Sequence, residues 1–247
     1  MKRFRSYVLF VSFFFFSAGL PAFSTGEAER LYNEIMLSWI EGEKNDFQTF
    51  SRFRDLESEL ENLADPVMEH YWLARVNLAV GQIRFYREEE VLSLTALEKS
   101  RDLARRAAEG GVGADALRIQ SDAGSFIMVQ KGVGYIIANS GEVRDLAEES
   151  LSLDEGNVRA ALIVAQGLIN APAIFGGNKR KGMTDLLALS RRPGLSPEDY
   201  FFLLMGLAEV YEGEKETDEA LEIYKRLLLR YPENPLVKNR IDSLSGR

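Results

Sequence analysis

The 247-residue chain contains no cysteine and a single histidine. Without cysteine it has no disulfides, no thiolate metal site and no lipid-attachment residue. The one imidazole, His70, cannot build a histidine-rich metal centre, and a Ser-His-Asp arrangement would depend on it alone. Beside Tyr71 and Trp72 at a helix start, His70 reads as a packing or capping residue. No metal, cofactor or catalytic residue is expected. Strand signals are scarce too: there is no Asn-Gly hairpin and there are few alternating β-branched runs. Positive charge is in deficit, with 30 Lys+Arg against 38 Asp+Glu. An acidic surface repels phosphate backbones, so nucleic acid is not expected as a partner.

At the N-terminus, Lys2, Arg3 and Arg5 precede an almost wholly apolar run from Tyr7 to Leu20, and Ala22-Phe23-Ser24 forms a small-x-small site. This is the pattern of a secretory signal peptide over residues 1–24, the run being short for a bilayer-spanning helix. The mature chain, residues 25–247, is expected to be periplasmic or secreted and not membrane-spanning; an uncleaved anchor is the alternative. Loss of the three N-terminal basic residues leaves 27 Lys+Arg against 38 Asp+Glu, a net charge of −11.

Apolar residues then recur three and four apart in segments separated by Gly, Asp and Pro. The spacing predicts helices near 27–40, 46–63, 66–82, 94–109, 114–131, 142–153, 157–170, 179–190, 197–212, 217–230 and 235–244. That is an all-α protein of antiparallel pairs. The acidic runs "REEE" at 87–90 and "EES" at 148–150 read as solvated charge rather than a general-acid pair, and "EGGVGADA" at 109–116 as a helix C-cap followed by a new start.

The clearest repeat runs from Phe201 to Asn234. Leu204, Leu207, Ala208 and Tyr211 share one face of its first helix; Ala220, Tyr224 and Leu227 share one face of its second; Pro232 closes it. This resembles the tetratricopeptide repeat of about 34 residues, with Leu227 larger than the usual residue there. Upstream, from Val158 to about residue 196, Ala161, Val164, Ala165 and Leu168 take the first-helix positions. Gly182, Leu186 and Leu189 take the second-helix ones across a lengthened turn, and Glu155 stands where the family has Pro. A further pair has Leu73 and Ala74 on its first helix and Ser100, Ala104 and Ala107 on its second; residues 27–63 give a degenerate fifth pair. The resemblance implies a superhelical array of four to five degenerate repeats, with residues 235–244 as a capping helix.

The stretch "NAPAIFGGNKRKGMTDLL" at 170–187 nearly matches a phosphate-binding loop, but Met183 stands where the lysine belongs and no strand precedes it. It reads as an elongated turn. Pro172 ends one helix, Ile174 and Phe175 tuck against the core, Gly176 and Gly177 supply positive φ angles, and Asn178 caps the next helix. The turn also resembles the form P-x-x-F-G-G-[DN]-x-x-K in exported bacterial helical-repeat proteins, some similar to T-components associated with TRAP transporters. Lys179, Arg180 and Lys181 form the one dense basic cluster, read either as a solvated first turn or as a contact for an anion or acidic partner.

In tetratricopeptide arrays the first helices line a concave groove. The resemblance implies that Arg159, Leu162, Gln166, Ile169, Phe202, Met205, Glu209 and Glu212 point into it. Leu162, Ile169, Phe202 and Met205 are apolar on a face expected to meet solvent; they either pack on a neighbouring helix or form a partner-binding groove. The function implied is an exported non-enzymatic scaffold for an envelope or transporter protein. The alternatives are a carrier of a lipophilic ligand and, less well supported, a cell-wall hydrolase. A homo-oligomer is compatible with the sequence.

Overall fold

The computed structural model describes residues 23–246, so the expected signal segment lies, but for its last two residues, outside them. Eleven α-helices and no strand occur among the described residues: α1 (Thr25–Ile40), α2 (Asp46–Leu60), α3 (Pro66–Tyr86), α4 (Glu90–Glu109), α5 (Ala114–Lys131), α6 (Val133–Leu153), α7 (Val158–Asn170), α8 (Lys179–Leu189), α9 (Pro197–Gly213), α10 (Thr217–Arg230) and α11 (Pro235–Ser245). A short 3₁₀ turn (Ala173–Phe175) lies between α7 and α8. Sequence chemistry explains where many of them start. Ser24, Asn45, Asp65, Asn157, Asn178, Ser196 and Asn234 each place a side-chain oxygen on an otherwise unpaired N–H of the first turn. Pro66, Pro197 and Pro235 sit in first turns, where a missing N–H costs nothing. Thus Asp65, not His70, caps α3; His70 is partly buried on its second turn.

The helices pair as α1–α2, α3–α4, α5–α6, α7–α8 and α9–α10, with α11 packed on α10. Small residues let the two helices of a pair approach closely. A Cβ on Gly182 would fall 2.6 Å from the Ala165 carbonyl oxygen, and one on Gly124 would fall 2.7 Å from a Val143 methyl. Hydroxyls staple such crossings too: Ser100 of α4 donates to the Ala74 carbonyl of α3 at 2.8 Å, and Ser121 of α5 to that of Val143 of α6 at 2.6 Å. In the last pair Ala208, Ala220, Tyr224 and Leu227 are all fully buried. Ala220→Leu is therefore expected to overpack the α9–α10 crossing and cost about 1–3 kcal/mol, read as a lower denaturation midpoint; an unchanged midpoint would refute this register.

α3 runs on to Tyr86 and α4 starts at Glu90, so the long connection expected between 82 and 94 is a short one, and two larger features depart from the sequence reading. The helix expected from 142 begins at Val133, immediately after Gly132, whose φ of +80° breaks the chain direction. Its first turns carry Gly134 and Gly141, and Val133 and Ile137 are exposed, so no amphipathic period marks them. The second departure is α1, which packs not only on α2 but also on α3 and α9. Trp39 meets the Phe201 ring edge-on at 5.5 Å and stacks on Phe202 at 6.4 Å. Just beyond α1 the two ends of the array touch: Asn234 Nδ2 donates to the Ile40 carbonyl at 2.7 Å. Gly42 runs so close to Glu233 that a Cβ would lie 2.3 Å from its carbonyl oxygen.

Candidate functional site

The apolar part of the expected groove is core. Phe202, Met205, Leu162 and Ile169 are all buried. Phe202 lies under Trp39 of α1, Leu162 packs against α9 at Gly206, and Ile169 packs against α8 at Gly182. The expectation that they face solvent is corrected: a tight α7–α9 contact and the chain's own first helix cover them. Gln166, Glu209 and Glu212 are partly buried, and Arg159 is deeply buried. Burial pushes the Glu209 carboxyl up to about 7, against the pull of Arg240 and the Tyr86 hydroxyl. Between about pH 4.5 and 7 the folded chain then holds a proton that the unfolded chain releases, so this group lowers stability as pH rises through that window. Glu209→Gln is expected to raise stability by about 1–3 kcal/mol at pH 8 and to leave it nearly unchanged at pH 5; equal melting shifts at both pH values would contradict this.

The basic turn is largely committed within the chain. Lys179 pairs with Glu214 and Lys181 with Asp185 at 2.6 Å, while Arg180 is exposed. In the preceding turn Gly176 has the expected positive φ of +85°, and Asn178 caps α8. Gly177 is required for a different reason: a Cβ there would sit 1.8 Å from the Ala171 carbonyl oxygen. Ile174 and Phe175 do not tuck against the core; they are 84% and 65% exposed. The segment entering the turn is helix α7, so the strand-to-helix geometry of a phosphate loop is missing. The acidic runs are surface pairs or caps, with Glu89 held by Arg84 and Arg87 and Glu148 near Arg144 at 3.8 Å. Gly110 ends α4 and α5 starts at Ala114, as "EGGVGADA" implies.

What the tertiary structure assembles instead is a cluster of charges around a cleft of about 670 Å³. The cleft lies between α1 and the N-terminal ends of α5, α7 and α9. Arg75 of α3, Arg118 and Asp122 of α5, Arg159 of α7 and Glu198 of α9 meet at its inner end. Arg75 pairs with Glu198 at 3.1 Å, and Tyr32 of α1 donates to the same carboxylate at 3.0 Å. Arg159 hydrogen-bonds Asp122, and Gln82 donates to the other Asp122 oxygen at 3.3 Å. Arg75 lies 4.2 Å over the Tyr32 ring and Arg159 lies 4.3 Å over that of Phe202, so both cations gain an aromatic face as well as a carboxylate. Burial works to raise the Glu198 pKa, but Arg75, Arg159 and Arg118 more than reverse it and hold the carboxyl below its usual value.

The cluster left a trace in the sequence that only the repeat boundaries make readable. Arg75, Arg118 and Arg159 are 43 and 41 residues apart, each on the first helix of a successive pair. Of the three, only Arg159 stood among the expected groove residues. Among the described residues no group of three or more His, Cys, Asp and Glu side chains is placed to hold a metal, and no helix is long and apolar enough to cross a membrane.

No family model and no curated protein matches the chain. Among solved structures it is similar to a thermophilic TPR protein of Thermus thermophilus, with a TM-score of 0.54 and 18% identity. The match covers 91% of this chain and 100% of that one. The fold is therefore an all-α helical-repeat array of the tetratricopeptide type.

Proposed function

We propose that the chain is an exported, non-enzymatic scaffold that recognises a protein partner through the polar cleft between α1 and the starts of α5, α7 and α9. The repeat architecture supports a binding role, since stacked helix pairs create extended concave surfaces. The observation that carries the reading is the cleft itself, open and walled by Arg30, Arg75, Arg118 and Arg159 together with six carboxylate side chains. Such a wall offers charged partners to a peptide segment beside apolar side chains such as Met36 and Leu37, and its charges favour the scaffold over the carrier. Export rests on the Lys2-Arg3-Arg5 and Tyr7–Leu20 pattern.

Cell fractionation and N-terminal sequencing test export: a product beginning at Thr25 in the soluble envelope fraction is expected, and an unprocessed cytoplasmic chain would overturn it. For recognition, the chain is cross-linked in the envelope beside an Arg118→Glu variant. One protein captured by the first and lost from the second, with the helical circular dichroism spectrum retained, supports the reading. Identical capture by both would remove the cleft from it.

A further inference from the structure

The charges of the cleft are sorted by depth. Its inner wall holds three arginines, Arg75, Arg118 and Arg159, against two well-buried carboxylates, Asp122 and Glu198. The third carboxylate nearby, Asp115, has a half-exposed side chain and is 3.8 Å from Arg118, too far for a hydrogen bond. Arg118 lines the cleft, is only 6% exposed, and its side chain makes no hydrogen bond to any of the described residues; its other carboxylate neighbour, Asp122, is also 3.8 Å away. Arg159 adds Nε and Nη1 without hydrogen-bond partners. The Arg118 nitrogens are not sealed off but meet the solvent of the cleft, where one carboxylate-sized anion would give them charge-assisted hydrogen bonds in place of water. The starts of α7 and α9 border the cleft, and their dipoles favour negative charge there.

The mouth has the opposite character. Glu29 and Glu34 on α1, Asp154 before α7 and Asp199 on α9 all line the cleft; Glu34 is paired with Arg30 and Arg52, which leaves Glu29, Asp154 and Asp199 as the acidic groups without a basic partner among the described residues. Acidic groups at the mouth oppose the entry of a ligand with several negative charges and favour one that is cationic beyond its anionic end. We infer that the cleft binds a dipolar ligand whose single carboxylate docks on Arg118 while an adjacent cationic group sits among the mouth carboxylates. A peptide C-terminus with a basic last residue has this chemistry, as does a free basic amino acid. A cleft of about 670 Å³ has room for a few residues.

The inference deepens the partner-recognition reading, and its test separates the two. The probes for calorimetric titration of the purified chain are the tripeptide Ala-Ala-Arg, its C-terminal amide, free arginine and triglutamate. Saturable binding of the free-acid tripeptide, at least tenfold tighter than that of its amide or of triglutamate, is the expected result. Arg118→Gln is expected to abolish this preference while keeping the helical circular dichroism spectrum; some loss of melting temperature goes with it, because the attraction to Asp122 and Glu198 is removed. A merely structural arginine would lower the melting point and leave the preference for acid over amide in the folded variant unchanged. If that variant does not fold, the wild-type thermal shifts with free acid and with amide decide the matter in its place. Free arginine binding as tightly as the tripeptide upholds the carboxylate site and removes the protein-partner reading. Equal binding of acid and amide, a preference for triglutamate, or no saturable binding at millimolar concentration overturns the site, even if a protein is captured elsewhere on the array.

Discussion

Glu198→Gln is expected to destabilise the fold by about 3–5 kcal/mol, measured as a lower midpoint of urea unfolding. Glutamine keeps the shape of glutamate, so the loss is electrostatic. Glu198 pairs with Arg75, lies 3.9 Å from Arg159 and accepts the Tyr32 hydroxyl. Without its charge, three inner arginines face Asp122 as the one remaining well-buried carboxylate. Breaking a buried pair strands the partner's charge, whereas removing both members can be nearly neutral. A Glu198→Gln, Arg75→Met double variant is therefore expected to recover much of the loss. The pH dependence has a definite sign. The Glu198 pKa is depressed on folding, so its contribution is present above the ordinary carboxylate value of 4.5 and is lost as pH falls through the depressed folded value. Wild type and variant should converge in stability in strong acid. A variant as stable as wild type at pH 7 would mean that the cluster is not closed in solution.

Trp39→Ala is expected to cost about 3–5 kcal/mol and to loosen α1 from the array. The indole is buried, meets Phe201 and Phe202, and donates from Nε1 to Asp46 at 3.0 Å, which ties α1 to the start of α2. Its removal leaves a cavity over Phe202, and release of α1 would expose an apolar face that a hydrophobic dye reports. Increased dye fluorescence with most of the helical signal kept is the expected outcome. Loss of the whole helical signal would show that α1 is essential to the array; no change in dye binding or stability would show that another element covers Phe202.

The local plan of this protein was legible in its sequence because it rests on short-range rules. Helix after helix starts where Ser, Asn or Asp precedes a helical run, and the pairs cross where Ser100, Gly182 and Ala220 allow it. Where a helix lacks an amphipathic period, as in the first turns of α6, the sequence carries no mark of its start. The turn at 171–178 is legible as a turn, yet Ile174 and Phe175, whose apolar character predicts burial, are exposed. Apolar character says that burial is favourable, not that a surface is within reach.

The candidate site belongs to the other category. The repeat register specifies which residues share a helix face; it does not specify what lies opposite that face. Leu162, Ile169, Phe202 and Met205 have the spacing of a groove face, but α7–α9 packing and the long-range return of α1 enclose them. Likewise, Arg75, Arg118, Arg159 and Glu198 are spread over 123 residues of sequence and become one cluster only when four helices converge. The sequence by itself determined helix positions, pairing and acidic character, because capping, periodicity and composition act over a few residues. Tertiary structure alone decided which face is core and which is cleft, because burial and charge pairing depend on neighbours distant along the chain.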